Sequence, residues 1–137
     1  MITYKALLLF ITLNIVNASH FRGGSITWKP VTTYSTTVLI QFTATWSWRR
    51  TWYVCNANNI GSLTGPSDRI TCDVGCSVMG ESIGTTTFYC TDYDYGENWS
   101  LGQKIWTYTV PKTANYQASF TGNAWIPLRV GGNGIWE

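Results

Sequence analysis

One stretch constrains this chain more than any other. Across residues 36–48, Val38, Ile40, Phe42, Ala44, Trp46 and Trp48 fall on one parity, while Leu39, Gln41, Thr43, Thr45 and Ser47 fall on the other. A period of two over so long a run describes a strand with one buried face and one largely wet face. A helix would scatter the same apolar residues around its whole circumference.

The rest of the chain follows suit. Residues 25–31 alternate Ile26, Trp28 and Pro30 against Ser25, Thr27 and Lys29, and Pro30 marks an edge or ending strand because it cannot donate to a ladder. Residues 52–55 are expected to continue or pair with the long strand after the basic turn Arg49-Arg50. Residues 56–68 are rich in Asn, Gly, Ser and Pro and read as a loop. Short strands are expected at residues 69–74 and 85–92. Another begins at Gly102, with Trp106, Tyr108 and Val110 facing away from Ile105, Thr107 and Thr109, and ends at Pro111. Residues 116–121 and 125–130 complete the set. No window sustains a helical period. Seven or eight short strands separated by turn signals predict an all-β, antiparallel β-sandwich of immunoglobulin-like architecture.

Residues 1–18 have the form of a secretory signal peptide. Lys5 is the only charge before Arg22, residues 6–16 are apolar apart from Thr12 and Asn14, and Val16-Asn17-Ala18 offers a small-residue cleavage site. The run is too short for a membrane anchor, which requires about 20 apolar residues. The expected product is a single secreted domain over residues 19–137, with no membrane span. Gly131-Gly132-Asn133-Gly134 followed by Ile135-Trp136-Glu137 reads as a turn and a strand that has only begun, so the sequence is expected to be truncated or the first module of a longer chain.

Removing Lys5 with the leader leaves eight Lys and Arg against seven Asp and Glu, so the strongly basic face of a nucleic-acid binder is absent. Eight Trp and eight Tyr in 137 residues exclude a disordered chain. Cys55, Cys72, Cys76 and Cys90 form an even set in a small secreted chain, which points to two disulfides. Of the three possible pairings, Cys55–Cys90 with Cys72–Cys76 is favoured, because Cys72 and Cys76 bracket the short Gly-containing loop Asp73-Val74-Gly75. A zinc site would use tight Cys-x-x-Cys pairs, and there are none.

His20-Phe21-Arg22-Gly23-Gly24-Ser25-Ile26-Thr27-Trp28 near the start, and Tyr108-Thr109-Val110-Pro111 with Ala114-Asn115-Tyr116-Gln117-Ala118-Ser119-Phe120 near the end, resemble the N-terminal module of large secreted or surface proteins of marine invertebrates and some microbes. In those proteins a His-Phe-Arg-x-Gly opening leads into tandem immunoglobulin-like, cadherin-like or EGF-like repeats. The resemblance implies adhesion or matrix assembly and carries no catalytic residues.

Enzymatic chemistry is hard to assemble from these residues. His20 is the only histidine and lies at the expected mature terminus, which disfavours a Ser-His-Asp triad or a histidine-chelated copper. Oxidised cysteines leave no thiol nucleophile. Asp92, Asp94 and Glu97 cluster before and after Gly96, and alternating oxygen ligands near a glycine suit weak calcium binding better than glycoside hydrolysis. Asn98-Trp99-Ser100 is an N-glycosylation sequon, whereas Asn17-Ala18-Ser19 straddles the expected cut. Trp52, Tyr53, Tyr93 and Trp99 are candidate exposed rings for stacking on a glycan; Trp46 and Trp48 belong to a core stripe. The expected function is a structural or adhesive component of an extracellular matrix, in a setting such as a shell biomineral, with matrix proteins or glycans as partners and no required cofactor. A carbohydrate-binding module is the alternative.

Overall fold

The computed structural model describes residues 21–112 and 115–122, and the expected leader and the strand at 125–130 lie outside them. Eight strands follow in order: β1 (Phe21–Thr33), β2 (Thr37–Arg49), β3 (Leu63–Thr64), β4 (Arg69–Val74), β5 (Ser82–Thr85), β6 (Phe88–Asp94), β7 (Trp99–Pro111) and β8 (Gln117–Ser119). They form two antiparallel sheets, one ordered β1-β2-β7-β6-β3 and the other β5-β4-β8.

β2 lies between β1 and the central strand β7 of the larger sheet, and its alternation sets which of its faces is buried. Ile40, Phe42, Ala44, Trp46 and Trp48 are buried, and the residues between them are half-buried on the outer face. Because side chains alternate along a strand, one slip would turn five apolar side chains out to water. The ladder to β7 runs unbroken from Thr37↔Pro111 to Arg49↔Trp99. β1 pairs with the other side of β2 and forms one edge, where Pro30 is tolerated. The ladder slips by a residue between Pro30 and Thr32.

The smaller sheet closes over β2 and contributes Ile70 and Cys72 from β4 and Ile83 from β5, with Phe88, Val110, Phe21 and Phe120 completing the buried cluster. Its aromatic rings meet edge to face, the preferred geometry for rings with negative faces and positive edges. Phe21 and Trp48 are 4.9 Å apart between centroids, and Trp46 and Phe120 are 5.5 Å apart. Phe42 instead stacks on Trp106 at 5.3 Å and 14°. Trp106 then donates from Nε1 to the Ile83 carbonyl at 2.7 Å, fastening β7 to β5 across the two sheets. Gly84 is what allows this approach: a methyl there would come within 2.8 Å of the indole.

Both disulfides pair as expected, Cys55 with Cys90 and Cys72 with Cys76. The first ties the β2–β3 connection to β6 at the point where Gly61 N–H donates to the Cys90 carbonyl and Cys90 N–H to that of Ser62.

Four expectations require correction. Residues 52–55 form no strand: the N–H groups of Trp52 and Tyr53 both donate to the Arg49 carbonyl, which curls the chain into a turn. The loop at 56–68 contains the two-residue β3, recruited to the edge of β6. The single strand expected at 85–92 is two, because Thr86 turns away and is buried with its hydroxyl donating to the Pro66 carbonyl. β7 starts at Trp99, earlier than Gly102, because Trp99 and Ser100 already pair with Arg49 and Trp48.

Candidate functional site

The expected site residues gather at one end of the larger sheet, where the turn after β2 meets the β6–β7 hairpin. Two backbone-directed bonds hold these turns together: Arg50 N–H donates to the Asn98 carbonyl at 3.0 Å, and Thr51 N–H donates to Asn98 Oδ1 at 3.1 Å. Asn98 has φ 56°, a left-handed conformation that Asn tolerates better than most residues.

The turn between β6 and β7 is built by its carboxylates. Asp94 Oδ1 accepts from Glu97 N–H at 2.6 Å, and Asp92 Oδ1 accepts from Tyr93 N–H at 2.8 Å. Asp92 and Asp94 do share a face, opposite Leu101 and Trp99 of β7. One oxygen of each is committed to backbone, and among the described residues no three His, Cys, Asp or Glu side chains form a metal-holding group.

The four expected rings do not make one exposed row. Trp52 is 47% exposed, but Tyr53 is half-buried and packs edge to face on Trp48 at 5.5 Å. Tyr93 and Trp99 are half-buried as well. Tyr93 meets Tyr95 edge to face at 5.3 Å. Tyr95, which sequence reasoning missed, is 61% exposed and carries the Arg50 guanidinium 4.0 Å over its ring. Each of the two turns was legible by itself, but the pairing that stacks Arg50 on Tyr95 was not.

A second feature lies between the edge strands β1 and β8. Trp28 stands opposite Phe42 on the core-facing side of β1, yet it is 59% exposed, because three strands cannot cover the face of five. The uncovered strip is a groove of about 580 Å³ lined by Trp28, Pro30, Val38, Ile40, Val110 and Tyr116 among others.

A polar seam runs along the core-facing side of β7. Lys104 Nζ donates to Thr85 Oγ1 at 3.0 Å and Thr87 Oγ1 at 2.7 Å, and burial lowers its pKa from the ordinary lysine value. Further along, a hydrogen bond to Glu81, then burial, raises the Tyr108 hydroxyl above its ordinary range. Tyr116 is pushed up to about 12, chiefly by burial and then by Tyr108, Glu81 and Asp73; its hydroxyl has no hydrogen-bond partner among the described residues. Both shifts hold these two phenols in their protonated form.

Comparison with known proteins shows the family of this chain. Residues 22–136 match the family described as "Integrin beta-like protein A-E, N-terminal". Over 111 residues the chain is 33% identical to Integrin beta-like protein C of Dictyostelium discoideum; the alignment covers 78% of this chain and 5% of that relative's length. No solved structure matches. With the family matched across nearly every described residue of the sandwich, the chain belongs to the N-terminal family of the integrin beta-like proteins A–E.

Proposed function

We propose that this domain is an extracellular adhesion module, displayed on a cell surface or in a matrix, that acts by surface contact and not by catalysis. The observation that carries the reading is the family match over residues 22–136, since the relatives are named for integrin β chains. Two disulfides in a small domain support an oxidising, extracellular setting. Exposed Trp28, Val31 and Tyr34 along the β1 edge provide apolar contact area of the kind that marks interaction sites.

The test is adhesion of beads coated with the oxidised chain to cells of the source organism. Coated beads should bind, soluble chain should compete, and Trp28→Asp should weaken binding. Beads that bind no better than albumin-coated ones would overturn the reading. Retention on a mineral surface in place of cells would move the function to a biomineral matrix.

A glycan-binding reading is favoured by one observation, the exposed Trp52 and the Arg50-backed Tyr95 at the same end of the sheet. Retention on insoluble polysaccharide, lost in Trp52→Ala, would support it.

A further inference from the structure

We infer that Asn98 is an N-glycan site that is filled only while the chain is unfolded, so that its occupancy reports how quickly the β6–β7 hairpin closes. The inference rests on the extracellular reading above, because glycosyl transfer takes place on the secretory route.

The sequon Asn98-Trp99-Ser100 spans the junction between a turn and a strand. Its two reactive ends are in opposite situations. Asn98 Oδ1 is tied to Thr51 N–H, while its Nδ2 makes no hydrogen bond among the described residues. Ser100 is 0% exposed, and its hydroxyl donates to the Tyr53 carbonyl at 2.6 Å. Ser100 is also paired on both sides, with Trp48 of β2 and Tyr93 of β6.

A transferase must hold the sequon's amide and hydroxyl together in its own site, on a segment free of other partners. In the folded domain it would have to draw the first residues of β7 out of a three-strand ladder and break the Ser100–Tyr53 bond. Breaking that bond adds to the cost of disrupting the ladder. Transfer to the folded chain is therefore blocked at Ser100, although the acceptor nitrogen makes no hydrogen bond among the described residues.

On the unfolded chain the step is ordinary. The donor is a lipid-pyrophosphate-linked oligosaccharide. A bond forms between Nδ2 and sugar C1 as the C1–O bond breaks. The pyrophosphate leaves with that electron pair, and the amide loses one proton to an enzyme base. The product amide keeps its carbonyl oxygen, so Thr51 N–H retains its acceptor after folding. The glycan then stands at the sheet end occupied by Arg50 and Trp52.

The test uses the full chain with Asn98 unmodified, either oxidised and folded or reduced and alkylated, offered to microsomal transferase with the lipid-linked donor. The alkylated chain should gain the mass of one glycan at Asn98, the folded chain should not, and Asn98→Gln should abolish the gain. Equal transfer to both forms, or to neither, would overturn the inference. In a eukaryotic secretory host, mild reductant that delays Cys55–Cys90 closure should raise occupancy. A chain secreted with both disulfides intact but never glycosylated would sink the inference and leave the adhesion reading standing. A chain that is not secreted would count against the extracellular reading, while the transferase assay still decides the site.

Discussion

The two disulfides should differ in their contribution to stability by a factor set by loop length. Cys55 and Cys90 are 35 residues apart, whereas Cys72 and Cys76 are 4 apart. Closing a loop removes entropy from the unfolded chain in proportion to the logarithm of its length. At 25 °C that relation gives roughly 3.8 kcal/mol for the longer loop and roughly 1.9 kcal/mol for the shorter. Burial acts in the same direction, since Cys55 and Cys90 are both buried whereas in the shorter pair Cys72 is buried and Cys76 only partly so. The perturbation is the double substitution Cys55→Ala/Cys90→Ala set against Cys72→Ala/Cys76→Ala. The assay is equilibrium urea unfolding followed by Trp fluorescence, with thermal melts alongside. For a domain of this size, about 4 °C per kcal/mol translates the two into Tm losses of about 15 °C and about 8 °C. The longer loop also anchors the Gly61 and Ser62 bonds to Cys90, so its loss should additionally free the 56–62 connection to proteolysis. A Cys72/Cys76 variant as destabilised as the Cys55/Cys90 variant would refute the loop-entropy argument and place the stabilisation in native-state packing.

Gly84→Ala should cost about 1–3 kcal/mol by driving a methyl into the Trp106 indole; a chemical melt would show this, and an unchanged midpoint would mean that β5 can shift without loss. Stability should fall as pH rises from about 10 to about 12, because Tyr116 is held protonated in the folded state to about 12 while the unfolded chain deprotonates near its ordinary value of 10.0. The unfolded state then binds fewer protons than the native one, which makes the slope of stability against pH negative in that window. Tyr116→Phe should reduce the fall, measured as urea midpoints across the window; an identical fall in that variant would assign the effect elsewhere.

Much of the fold was written locally. The stripe from Val38 to Trp48 dictated a long strand and its buried face, because a period of two puts all six apolar residues on one side, where five are buried and Val38 partly so. Pro30 marked β1 as an edge or an ending strand, of which the sheet order selects the edge, and the four-residue spacing of Cys72 and Cys76 made their local pairing the simplest solution. Strand ends were less legible. The backbone from Trp99 to Leu101 reads as a continuation of the acidic turn, and only its pairing with β2 makes it strand.

The candidate site depended still more on tertiary structure. Each ring at the sheet end carries the same local signal of an aromatic beside a turn, yet Tyr53 is drawn onto Trp48 while Tyr95 is left in water under Arg50. Ser100 looks like any sequon hydroxyl in the sequence, and only the packing of the 50–53 turn against β7 buries it. Local sequence determined which residues alternate, turn and cross-link. The meeting of segments some 47 residues apart decided which side chains are left for solvent and for partners, because exposure depends on what the rest of the chain covers.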